Sequence, residues 1–366
     1  MLKITVIVCL TVLVLIIPCS AIELDEVIER QSEVVDLERV EDAAKPYFDS
    51  FTPENADLNE GLKILLTEGR EEVRGVFKKA LRSCTMLLSV VLLCGIAGSV
   101  SEESKLGQFS AVTMAGVLAI TAIAVLDVKS LLGLGQNTLE RVTEFVNVLF
   151  PAVTALTAVT GSITGAAVKE MTAILFSDLL LNLMNHVLVP AVYAFLAINV
   201  AYAAVRNEGL KRVAGFLKWM IGITLTVLLT AFVGYLSVSG VIVGQTDAIA
   251  VKAAKLTLSS VIPVVGGILS DAAETVLAGA GILRGTVGVF GMLTILAICL
   301  SPFLQLGINY LMYKLTAALT ATVADSGLSG LIESIGTAFG LILGMIGAGT
   351  LSLLIALISI LSVMNI

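Results

Sequence analysis

From Cys84 to Ile366 the chain alternates long apolar runs with short polar interruptions. CTMLLSVVLLCGIAGSV (84–100) is the first run, ended by SEESKLGQ. AVTMAGVLAITAIAVL (111–126) and FVNVLFPAVTALTAVTGSITGAAV (145–168) are the second and third. Residues 171–205 form one stretch that is over-long for a single spanning helix and tight for two. Runs at 220–244, 286–312 and 335–361 complete the series. No two-residue alternation of barrel length occurs, so helices are the only elements that satisfy the backbone in lipid. The pattern predicts an all-α polytopic integral membrane protein with about 6–7 transmembrane helices and interrupted or re-entrant segments.

Composition agrees. Hydrophobic residues make up 57% of the 366 and charged residues 14%, against roughly 45–50% and 25% in soluble domains. A soluble fold has too much surface for its volume to hide that much apolar area. The 32 glycines match helices that pack closely in lipid.

The N-terminus reads as an export signal over residues 1–21. MLK is a short positive end, Ile4 to Ile17 is an apolar core, and PCSA offers small residues for cleavage after Ala21. An uncleaved anchor is the competing reading. Residues 22–82 follow as an acidic extracytoplasmic segment of amphipathic helices, and 83–366 as the polytopic membrane domain. Between 22 and 75 there are sixteen acidic and six basic residues, so the formal net charge of −7 originates there. This segment is either a solvated pre-sequence or a docking surface for a partner outside the membrane. Nucleic acid is excluded as its partner, because phosphate binding needs a basic surface.

Topology is less direct. With the end before the first span outside, Lys78, Lys79 and Arg82 lie on the outer flank, against the usual cytoplasmic excess of bases. The basic loop with Arg206, Lys211, Arg212 and Lys218 then falls inside only if 171–205 crosses twice or dips in as a hairpin.

Two polar constellations interrupt the apolar pattern. Asp178, Asn182, Asn185 and His186 recur at three- and four-residue spacing, so a helix gathers them into one stripe. That stripe is either an intramembrane relay or the wet side of a membrane-surface helix. The second constellation is SSVIPVVGGILSDAAE (259–274). Asp271 fits a helix N-cap with Glu274 reaching back to it, and Pro263 with Gly266 and Gly267 separates that helix from the one before. The same break is also how transporters expose carboxylates along a path. Gly336, Gly340 and Gly344 form a ladder on the last run, and Gly161 and Gly165 repeat the spacing on the third. Such faces let helices approach closely, within one chain or between copies in a homo-oligomer.

Catalytic chemistry finds no footing. One histidine rules out a His-rich metal site, and neither H-E-x-x-H, C-x-x-C nor G-x-x-x-x-G-K-[ST] is present. Cys84, Cys94 and Cys299 sit in apolar runs, so no disulfide framework serves the exported segment. No enzyme, cofactor or metal is expected.

The run from Ala250 to Gly291 resembles the most distinctive segment of the stage III sporulation protein AE family of endospore-forming bacteria. Ala254-Lys255, Ile262 to Gly266, Leu269 to Asp271 and Glu274 to Leu277 carry the likeness. The segments FVNVLFPAVTALTAVTGSITGAAV and LTAFVGYLSVSGV are similar to two further parts of the family, and the likeness covers roughly residues 60–366. The resemblance implies a multi-pass protein of the mother-cell membrane facing the forespore. It implies a subunit, structural or permease-like, of a channel complex that late forespore development requires. Its implied partners are other stage III sporulation membrane proteins and a forespore membrane protein. A stand-alone secondary transporter of a small metabolite or ion is the alternative.

Overall fold

The computed structural model describes residues 37–47, 57–100, 111–159, 174–238, 286–323 and 326–361. The export signal, the 259–274 break, Gly161 and Gly165 lie outside the described residues. A short helix α1 (Leu37–Ala44) presents Val40 and Ala44, one turn apart and both fully buried, to α3. The long helices are α2 (Leu58–Val100), α3 (Ala111–Val159), α4 (Ile174–Val205), α5 (Glu208–Val238), α6 (Thr286–Thr320) and α7 (Ser326–Leu361). All six are long and apolar enough to cross a membrane, and no strand occurs among the described residues. The fold is an all-α, polytopic one.

Local chemistry explains where these helices start and stop. Asp57 caps α2, its Oδ1 accepting from the backbone N–H of Asn59 and Glu60 at 2.9 and 3.0 Å. From there α2 runs without a break through residue 82, joining the amphipathic stretch to the first apolar run. The α4–α5 turn is tight. Arg206 takes the left-handed conformation (φ 55°) and its N–H closes on Tyr202 O at 2.7 Å. Asn207 Oδ1 then accepts from the N–H of Gly209 at 2.8 Å to open α5.

Two runs expected as separate spans, 111–126 and 145–168, begin and continue on one helix, α3. The charged interval between them is not a turn. Leu131, Leu132, Leu139, Val142 and Val146 keep helical spacing through it and are all buried. Residues 174–205 likewise form one helix rather than two. It widens at Met184–Leu188, where the N–H of Val189 bonds to Met184 O, a π turn. Pro190 follows directly. A proline lacks an N–H and crowds the carbonyl four residues back, and the wider turn absorbs that crowding.

Side-chain pairs fix the direction of each helix. Gly61 of α2 abuts Leu293 of α6 and Gly95 abuts Val323, so these two run parallel. Tyr310 and Tyr313 of α6 meet Gly340 and Gly336 of α7, while Cys299 meets Thr350, so α6 and α7 are antiparallel. Gly116 and Gly135 of α3 meet Leu328 and Ile342, so α3 runs with α7. Asn199 of α4 meets Ser334 and Met184 meets Gly349, so α4 opposes α7. Phe176 of α4 stacks on Phe232 of α5 at 4.1 Å, closing an antiparallel hairpin. The six helices therefore alternate in direction along the chain. One end of the bundle, here the basic end, holds the α4–α5 turn with Arg206, Lys211 and Arg212. The far end holds the start of α2 and the end of α7.

The helix at the centre is α7. Every residue from Ile335 to Gly349 is buried, which suits a helix apolar on all faces. Its closest neighbour is α6, and Gly340 permits the approach: a Cβ there would lie 2.8 Å from the Tyr310 ring. Gly340→Leu overpacks this seam at a cost of about 1–3 kcal/mol. Gly75, with nothing within 4 Å of its would-be Cβ, is the control, since Gly75→Ala gains up to about 1 kcal/mol of helix propensity. Thermal loss of helical circular dichroism in detergent should rank Gly75→Ala at or above the parent and Gly340→Leu clearly below it.

Candidate functional site

Polar groups inside an apolar bundle must find partners among themselves, and they do so mainly along α6 and α7. Tyr313 is fully buried, and its hydroxyl donates to Asp127 Oδ2 of α3 at 2.9 Å. Its ring stands edge-on to Phe339 of α7, 5.1 Å between centroids, and Cys84 of α2 and Thr316 adjoin the same spot. Two to three turns further toward the far end, Glu72 of α2 accepts from the Ser301 hydroxyl and, at 3.0 Å, from Gln305 Nε2. Ser301 immediately precedes Pro302, which interrupts the hydrogen bonding of α6.

Two further contacts lie nearer the basic end. The Ser334 hydroxyl donates to Asn199 Oδ1 at 2.9 Å, and Asn199 Nδ2 donates back to Phe195 O within α4. Lys314 pairs with Glu333 at 2.9 Å beside a cavity of about 340 Å³ lined by Ala317, Ala321, Ser329 and Gly330. Three of the contacts each tie a different helix to the α6–α7 pair, Glu72 for α2, Asp127 for α3 and Asn199 for α4, and Lys314–Glu333 ties α6 to α7 itself. No group of three His, Cys, Asp or Glu able to hold a metal occurs among the described residues. Chemically the arrangement is a set of clasps that fix helix register.

The polar stripe of α4 lies apart from these clasps. Asp178, Asn182 and His186 are exposed, with His186 on the π turn. Asn185 is half-buried, and its side-chain oxygen has no partner. Gly336 and Gly340 face α6, and Gly344 is buried on α7. Asp271, Glu274, Pro263, Gly266 and Gly267 lie outside the described residues. Asp127, Glu72 and Tyr313 were not singled out from the sequence. Asp127 carried a usable signal, as an ionisable residue ending the apolar run AVTMAGVLAITAIAVL. Glu72 carried none, because it is one of several acids in an amphipathic stretch.

Six alternating apolar helices clasped by carboxylate, hydroxyl and amide contacts define a polytopic membrane protein. Residues 52–364 match the family described as stage III sporulation protein AE, and the chain belongs to that family. It is similar to stage III sporulation protein AE of Bacillus subtilis (strain 168), 27% identical over 272 residues, which are 74% of this chain and 66% of that protein. The match thus spans just under two thirds of that relative's length. No solved structure matches the chain.

The Tyr313–Asp127 clasp makes a quantitative prediction. Tyr313→Phe leaves the Asp127 carboxylate without its donor and costs about 1–3 kcal/mol. In the background Asp127→Leu the same substitution should cost much less. Denaturant titration of the four chains in detergent, as a double-mutant cycle, measures the coupling.

Proposed function

We propose that this chain is a multi-pass subunit, structural or permease-like, of the sporulation channel complex that links mother cell and forespore and that late forespore development requires. In this reading it sits in the mother-cell membrane facing the forespore. Its acidic segment lies between the two membranes, and its partners are the other stage III sporulation membrane proteins and a forespore membrane protein. Membership of the stage III sporulation protein AE family over residues 52–364 carries this reading. The clasps of α6 and α7 support it in kind, because each joins two helices.

A second reading, a stand-alone secondary transporter of a small metabolite or ion, has one observation in its favour. The π turn of α4 leaves the Asn185 oxygen unpartnered close to Asp178, Asn182 and His186, and π turns recur at functional sites. Affinity recovery of a tagged chain from sporulating cells in mild detergent separates the two. The first reading expects co-recovery of the other envelope-spanning sporulation proteins. It also expects Asp178→Asn to leave both the complex and spore yield unchanged. Recovery of the intact chain alone, or loss of spore yield with the complex intact, contradicts it and favours transport.

A further inference from the structure

Each helix is longer than a bilayer needs. The α3 span of 43 residues and the α2 span of 41 reach roughly 60–65 Å, against about 30 Å of hydrocarbon. The exposed side chains show where the excess lies. Of the 23 large apolar side chains that stand exposed among the described residues, 18 lie in the half of the bundle nearest the basic end, among them Leu93, Ile96, Leu118, Leu126 and Leu315. The other five are Leu66, Phe77, Leu175, Leu179 and Val187. The apolar belt ends at one level on every helix that bears it: Leu81, Leu126, Tyr193, Trp219 and Leu311. Counted from the level where Gly95 abuts Val323, Leu81 stands fourteen positions away and Leu311 twelve; counted from their helix ends, Leu126 stands fifteen, Tyr193 twelve and Trp219 eleven, each roughly 17–23 Å. With side-chain reach at both edges, that is close to a hydrocarbon thickness.

Beyond that level the exposed residues change in kind. On α2 they include Lys63, Arg70, Arg74 and Lys78, on α3 Glu140, Arg141 and Glu144, and on α4 Asp178 and His186. Hydrocarbon does not tolerate such a density of unneutralised charge. At the dividing level itself the exposed bases Lys79, Arg82, Lys129 and Lys218 accompany Trp219 and Tyr193, the pairing of long cations and aromatic rings that marks a membrane–water interface. Within the belt, Lys314 and Glu333 neutralise one another. The apolar halves of α6 and α7 beyond the belt need no lipid, since Ile335 to Gly349 and Leu351 to Ile358 are largely enclosed by the surrounding helices.

We propose that the bilayer seats only on the half of the bundle next to the basic end, and that the far half stands in water as a helical head. The basic turn with Arg206, Lys211 and Arg212 puts the belt's lower edge at the cytoplasm, so the head projects outside. It then lies on the same side as the exported acidic segment. The three described helices that precede the basic loop remove its topological conflict, since an odd number of crossings from outside places it inside.

Sided labelling tests this on the full-length chain in the membrane of intact spheroplasts, with a membrane-impermeant maleimide and the native chain as background. Single cysteines at Arg74 (α2), Glu140 (α3) and Thr230 (α5, exposed on the side of the bundle away from α2) probe the head. Leu93→Cys, Leu118→Cys and Leu315→Cys probe the belt. The head positions should react several-fold more than the belt positions without permeabilisation. Reaction at Arg74 and Glu140 but not at Thr230 would overturn the head, leaving only a wet wall of α2 and α3 within the bilayer. No reaction at all three, or reaction only after permeabilisation, would overturn its placement.

Discussion

A helix that is apolar on every face must be enclosed, by lipid or by other helices, and α7 sets that requirement for the whole chain. Ile335 to Gly349 is buried all round, so α7 needs neighbours on several sides at once. Antiparallel α6 supplies the closest of them, seated where Gly336 and Gly340 give room to Tyr313 and Tyr310. Parallel α3 and antiparallel α4 fill other sides. With α7 central, the described helices alternate in direction along the chain.

Apolar packing in such a bundle fixes proximity better than register, because one leucine-rich face resembles another. The clasps resolve that degeneracy. A carboxylate from α2, a carboxylate from α3 and an amide from α4 each find donors on α6 or α7. Sliding a helix by one turn would leave a buried polar group unpaired, a cost of about 1–3 kcal/mol. The polar residues of the interior are thus explained as specifiers of alignment.

The class of fold was legible from the apolar runs, and so were α6 and α7, whose runs are long and bounded by turn residues. The continuity of α3 was not. Its middle, DVKSLLGLGQNTLERVTE, reads as polar punctuation when hydropathy is averaged. Only the helical spacing of Leu131, Leu132, Leu139 and Val142 reveals one buried face running through it. Residues 171–205 were ambiguous for a similar reason, since length alone does not distinguish a hairpin from one long helix that runs past the bilayer. The clasp residues were hidden because each is half of a long-range pair, such as Asp127 with Tyr313, and pairing across 186 positions leaves no local mark. The stripe of α4 was visible as a stripe, whereas its exposed placement depends on how α4 packs against α7.

The alternation of six helices stands or falls with α3 as one crossing. Spin labels at Leu118 and Glu140, both exposed, placed in the full-length chain in lipid nanodiscs, test it directly by pulsed electron resonance. Twenty-two residues of unbroken helix give one narrow distance near roughly 33 Å, broadened only by the label linkers. A short or widely spread distance would mean that the chain turns back between these residues. That result would contradict the bundle built around α7.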